Sequence, residues 1–72
     1  MLISEEENKV KIILLPGDDP KEAFLMLSDP DFLEISAGKE VKLVAYLIEP
    51  SEKEKREYEA IGFEVRNLKE IL

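Results

Sequence analysis

Asp18, Asp19 and Glu49 are the residues best placed to do chemistry in this chain. The two aspartates follow Pro16-Gly17 directly after an apolar run, and Glu49 follows a second apolar run at 43–48. Open α/β sheets collect ligands beyond the carboxyl ends of their strands. Two or three carboxylates gathered there would supply the oxygen donors that a magnesium ion takes. The same residues also have a purely architectural account, in which Gly17 makes a turn, Asp19 caps the following helix and Asp18 is solvated. As a phosphate cradle the segment fails. It has a single glycine, no Lys-Ser or Lys-Thr after it, and two carboxylates that would repel the anion.

The rest of the inventory excludes more chemistry than it offers. The 72 residues contain no Cys and no His, so there is no thiol nucleophile, no Ser-His or Cys-His dyad, no near-neutral imidazole base and no zinc site of the usual kind. The expectation is a protein that is not an enzyme and that needs no cofactor. With 17 acidic residues against 10 basic ones the net charge is -7, which opposes nucleic acid and anionic membranes and favours basic partners or cations. The start of the chain, Met1-Leu2-Ile3 before Glu5-Glu6-Glu7, lacks the features of a signal peptide, and no apolar run is long enough to span a membrane. A cytoplasmic location is expected by default. The abundance of Glu and Lys, with Gln and Cys absent, matches the composition of thermophile proteins.

These residues must be positioned by a single small domain spanning 1–72, with 1–8 either a flexible terminus or one arm of a hairpin. Residues 9–15 read as a strand that stops at Pro16-Gly17. Asp19-Pro20-Lys21-Glu22 then combines a cap, a proline in the first helical position and an acidic residue in the first turn, starting a helix that runs to about residue 27. Asp29-Pro30 repeats the signature, and Gly38 suits a left-handed helix end, so 31–37 is read as a second short helix. A strand at 32–36 is the rival reading. Residues 41–48 form the clearest strand, apolar enough to be covered on both faces. Ser51-Glu52-Lys53-Glu54 is a capping box opening a helix to residue 61, with Gly62 after it. Pairs at four-residue spacing, Glu52 with Arg56, Lys53 with Glu57 and Lys55 with Glu59, are expected to support that helix. A short strand at 63–66 and a last turn carrying Leu68, Ile71 and Leu72 complete the chain.

Strand-helix-strand units imply parallel neighbours, so the expected fold is a small two-layer α/β sandwich of three or four strands with its helices on one face. If 32–36 is a strand, the alternative is a ferredoxin-like split βαβ. In the sandwich Ile13, Leu15 and an alternate set from 43–48 face away from the helices. Leu68, Ile71 and Leu72 would cover them in cis, or a second subunit would in trans. Phe24, Leu25 and Met26 make the first helix more apolar than one buried stripe requires. Tyr46 reads as a core or interface residue, because base stacking would need further aromatics and basic residues beside it.

Gly38-Lys39-Glu40-Val41-Lys42-Leu43-Val44, then Pro50, a charged helix, and Ile61-Gly62-Phe63-Glu64-Val65 resembles the latter part of the TusA/SirA-like small sulfur-carrier proteins. Asp19-Pro20 stands where that family has Cys-Pro. The resemblance covers most of residues 10 to 66 and implies a two-layer α/β sandwich. The family's cysteine carries a persulfide, and the aspartate at the matching position cannot carry sulfur. The region before Gly38 is longer than the family pattern, and the family's closing strand has no room.

Two functional expectations follow. One is a noncatalytic protein-interaction or regulatory module, with Phe24, Leu25, Met26, Leu68, Ile71 and Leu72 in contact with another protein or a second copy in a homodimer. The other is a carboxylate-based metal or small-ligand site at Asp18, Asp19 and Glu49.

Overall fold

The computed structural model describes residues 1–71. The strands are β1 (Leu2–Glu6), β2 (Lys9–Leu14), β3 (Glu40–Leu47) and β4 (Glu64–Asn67), and the helices are α1 (Pro20–Leu27), α2 (Pro30–Ser36), α3 (Glu52–Ala60) and α4 (Leu68–Ile71). The strands form one sheet in the order β1-β2-β3-β4. β1 runs antiparallel to β2 through a hairpin, and β2, β3 and β4 are parallel to one another. The expected α/β sandwich is therefore present. The split βαβ alternative fails because α2 occupies the segment it needed as a strand.

Local signals explain each helix. Asp19 and Asp29 cap α1 and α2, their side chains accepting from the N–H groups of Lys21 and Asp31 at 2.9 Å, and a proline occupies the first turn of each. Ser51 caps α3 by accepting from Glu54 N–H at 3.2 Å, and its hydroxyl donates to the Glu54 carboxylate at 3.3 Å. Gly62 ends α3 at φ 102°, a left-handed conformation that costs glycine nothing.

One face of the sheet holds the core. Val10, Ile12 and Leu14 of β2 alternate inward and join Ala45 of β3, Ala23 of α1, Phe32 of α2 and Phe63 before β4. Phe63 sits edge-on to both Phe24, at 6.1 Å, and Tyr58, at 5.8 Å, so one ring fastens α1 and α3 to the same point. The molecule measures 35 × 23 × 18 Å, and its thinnest dimension accommodates one sheet and one layer of helices. Its accessible surface of 5108 Å² exceeds the roughly 4,600 Å² typical of a monomer of this mass. Large apolar side chains left exposed on several elements, among them Leu2, Leu25, Leu33 and Ile48, contribute to the difference.

The expected ion pairs along α3 do not form. None of Glu52 with Arg56, Lys53 with Glu57 or Lys55 with Glu59 is among the pairs closer than 4 Å, which join sheet residues to one another, the amino terminus to Asp18 after β2, and Glu49 after β3 to Lys69 of α4. The α3 side chains stand mostly in water, where holding two long chains together gains little.

Candidate functional site

The three carboxylates singled out from the sequence are each engaged separately. Asp18 accepts from Leu15 N–H at 2.9 Å and lies 2.7 Å from the amino terminus, whose ammonium foremost holds its carboxyl below the usual aspartate range. Asp19 is the α1 cap. Glu49 has φ 43°, unusual for a residue with a side chain, and is pinned there. Its N–H donates to Asn67 Oδ1 at 3.2 Å and its carboxylate meets Lys69 Nζ at 2.8 Å. Asn67 Oδ1 also accepts from Lys69 N–H, so one amide oxygen serves both the turn and the start of α4. Among the described residues no three carboxylates converge where a metal could sit, because each of these has been drawn into a turn or a cap.

The proposed apolar contact divides as well. Ala23, Met26 and Leu27 share the inward side of α1, so Met26 packs against the core. Phe24 leans on Phe63 while 40% exposed, and Leu25 points outward at 72% exposed. Leu68 is half-buried. Leu72 and the side chain of Ile71 lie outside the described residues.

The sheet brings together a set of residues that the sequence leaves scattered. On the face away from the core, Ser4, Lys11, Ile13, Lys42, Val44, Tyr46, Glu64 and Arg66 line a shallow depression of about 310 Å³ to which, among the described residues, no helix contributes. The strand register orders them in rows. Glu6, Lys9 and Glu40 lie abreast, then Ser4, Lys11 and Lys42, then Leu2, Ile13, Val44 and Glu64, and finally Tyr46 with Arg66. Tyr46 is thus not isolated from arginine, as its sequence neighbours suggest, but has Arg66 beside it. A larger depression of about 400 Å³, between α3, β4 and α4, has Val65 and Pro50 as its apolar lining among residues of both charges and offers less to a hydrophobic partner.

Glu64 is the electrostatic centre of the open face. Its carboxylate oxygens lie 3.1 Å from Lys42 Nζ and 2.9 Å from Arg66. The hydrogen bond from Lys42, more than the charge of Arg66, holds its carboxyl below the ordinary glutamate value of 4.5. Because the folded value is depressed, this pairing contributes stability fully above pH 4.5 and loses it as the pH falls through the folded value. A carboxyl carbon NMR titration is expected to place the Glu64 midpoint below 4.5, and Lys42→Ala should move it upward. Added salt should move it the same way, since the site is open to solvent.

Lys11 and Lys42 are direct neighbours on parallel strands, a like-charge contact that costs free energy unless it is offset. Glu6, 3.6 Å from Lys11, and Glu64 offset it on either side. The outcome is a rim of alternating charges around half-buried Ile13 and Tyr46, with Val44 between them only 5% exposed. No family model, curated protein or solved structure matches the chain. Among the described residues, no helix is long and apolar enough to cross a membrane.

Proposed function

We propose that the chain is a noncatalytic protein-interaction module that docks its partner on the uncovered face of the sheet. The observation that carries this reading is exposed Leu2 in one row with half-buried Ile13 and buried Val44, and half-buried Tyr46 next to them, on a face to whose depression no helix contributes among the described residues. A half-buried tyrosine and an arginine set against aliphatic side chains, with acidic and basic groups around them, is the make-up of interface centres and their rims. The two faces of the sheet divide the labour. The helix-covered face holds the fold together, and the open one is left to make contacts.

Immobilised full-length chain, compared with its Tyr46→Glu and Leu25→Glu variants by quantitative mass spectrometry of retained proteins, tests the assignment. The expected result is a protein, this chain or another, held by the parent and by Leu25→Glu but lost with Tyr46→Glu. Retention that ignores Tyr46, or no retention by the parent, would overturn it.

A further inference from the structure

We infer that the outer edge of β1 takes up an extended segment of another protein as an added antiparallel strand. From its amino end the segment reads basic, basic, any residue, apolar, apolar. This edge is a second surface, separate from the face that carries Tyr46.

The backbone groups that the edge offers follow from the strand register. Glu40 N–H donates to the Asn8 carbonyl at 3.1 Å, which turns Val10, Ile12 and Leu14 toward β3 and leaves Lys9, Lys11 and Ile13 to bond with β1. Their partners Glu6, Ser4 and Leu2 are therefore the hydrogen-bonded positions of the hairpin. Ile3 and Glu5, which alternate with them, direct N–H and C=O away from β2, and β1 is an outermost strand of the sheet. α4 follows β4 at the opposite edge, about 14 Å away across three strand spacings. Two donors and two acceptors at alternate residues are what an added strand pairs with.

The side chains of β1 set the chemistry of that strand. Ile3 lies beside Ile12 on the core side of the sheet, yet Ile12 is fully buried and Ile3 is 44% exposed. Leu2, on the other side, is 54% exposed. Glu5 and Glu6 are exposed on opposite sides as well, so the strand is apolar at one end and acidic at the other. Neighbouring strands place facing residues on the same side of the sheet. An antiparallel segment therefore sets two basic residues against Glu6 and Glu5, one residue against Ser4, and two apolar residues against Ile3 and Leu2. A second β1 supplies neither half. Parallel and in register it sets carboxylate on carboxylate, and antiparallel about Ser4 it sets Glu6 and Glu5 on Leu2 and Ile3. The net charge of -7 draws a basic partner from a distance. Antiparallel pairing continues the β1–β2 arrangement and is the more stable of the two per residue.

The probe is the synthetic peptide acetyl-Gly-Lys-Arg-Thr-Val-Ile-Gly-amide, added to the nitrogen-labelled full chain up to about 1 mM, where weak association registers. Amide shifts are expected to move along β1, and hydrogen exchange should slow at the Ile3 and Glu5 N–H groups. Ser4 N–H, already bonded within the hairpin, should change little. Glu-Glu in place of Lys-Arg in the peptide should weaken binding about tenfold or more. The chain with Glu5→Lys and Glu6→Lys together should lose the basic peptide and take up the acidic one, which also shows that the variant is folded. Shifts centred on Tyr46, exchange that is unaltered at Ile3 and Glu5, indifference to the charge swap, or no binding of the peptide would overturn the inference. So would Ile3 and Glu5 N–H groups already protected by a second copy in the chain alone. Tyr46→Glu should leave peptide binding unchanged, so the edge and the open face can each fail without the other.

Discussion

Phe63→Ala is expected to lower the free energy of unfolding by about 3–5 kcal/mol, the usual range for removing a buried aromatic ring. Phe63 is 3% exposed and precedes β4, with its N–H donating to the Tyr58 carbonyl at 3.0 Å. Its ring touches Phe24 of α1 and Tyr58 of α3, so truncation opens a cavity where both helices meet the sheet and removes two edge-to-face contacts. A chain of this length has a total stability of roughly 4–11 kcal/mol. The variant should therefore be close to unfolded at 25 °C, which a urea titration followed by circular dichroism will read directly. Phe63→Leu, which keeps apolar volume and loses the ring edges, should fall between the two.

Ile12→Ala should cost about 2–5 kcal/mol by the same cavity mechanism, and Ile12→Val about 0.5–1.5 kcal/mol. Ile12 is fully buried on β2, paired with Ile3 on one side and Leu43 on the other. β2 joins the antiparallel hairpin to the parallel part of the sheet, so the site can relax little without disturbing one or the other. The urea midpoint should fall in the order parent, Ile12→Val, Ile12→Ala with the slope unchanged, as expected when the unfolded state is unaffected.

Most of the fold was legible because its punctuation is local. Asp19-Pro20 and Asp29-Pro30 announce helices within two residues, and the strands expected to end at 15 and 48, before Pro16-Gly17 and Pro50, end one residue earlier, at Leu14 and Leu47. Even the short α2, open to a strand reading, was decided by its cap and proline. That Ile13 and alternate residues of 43–48 would face away from the helices was legible, but the charged residues that gather around them were not, because they depend on register. Lys11, Lys42, Glu64 and Arg66 come from three strands joined by helical crossovers, and nothing near them in the sequence says which residues will lie abreast. One signal was available. Lys11, Lys42, Glu64 and Arg66 all occupy the alternate positions that face away from the core, and taking those positions from all three strands together would have assembled the patch. The α3 pairs failed for the opposite reason, since four-residue spacing permits an ion pair but exposed side chains have little to gain by closing it.

The outer edge of β1 carries a further consequence. An edge strand offers unpaired N–H and C=O groups on which another chain can extend the sheet, the route by which small β-containing proteins form fibrils. Here the edge ends in Glu5 and Glu6, with Glu7 opening the turn, all three exposed. Three consecutive carboxylates make it costly for a second β1 to approach in register. The acidic run, read from the sequence as a flexible terminus or one arm of a hairpin, thus also works against open-ended assembly through this edge.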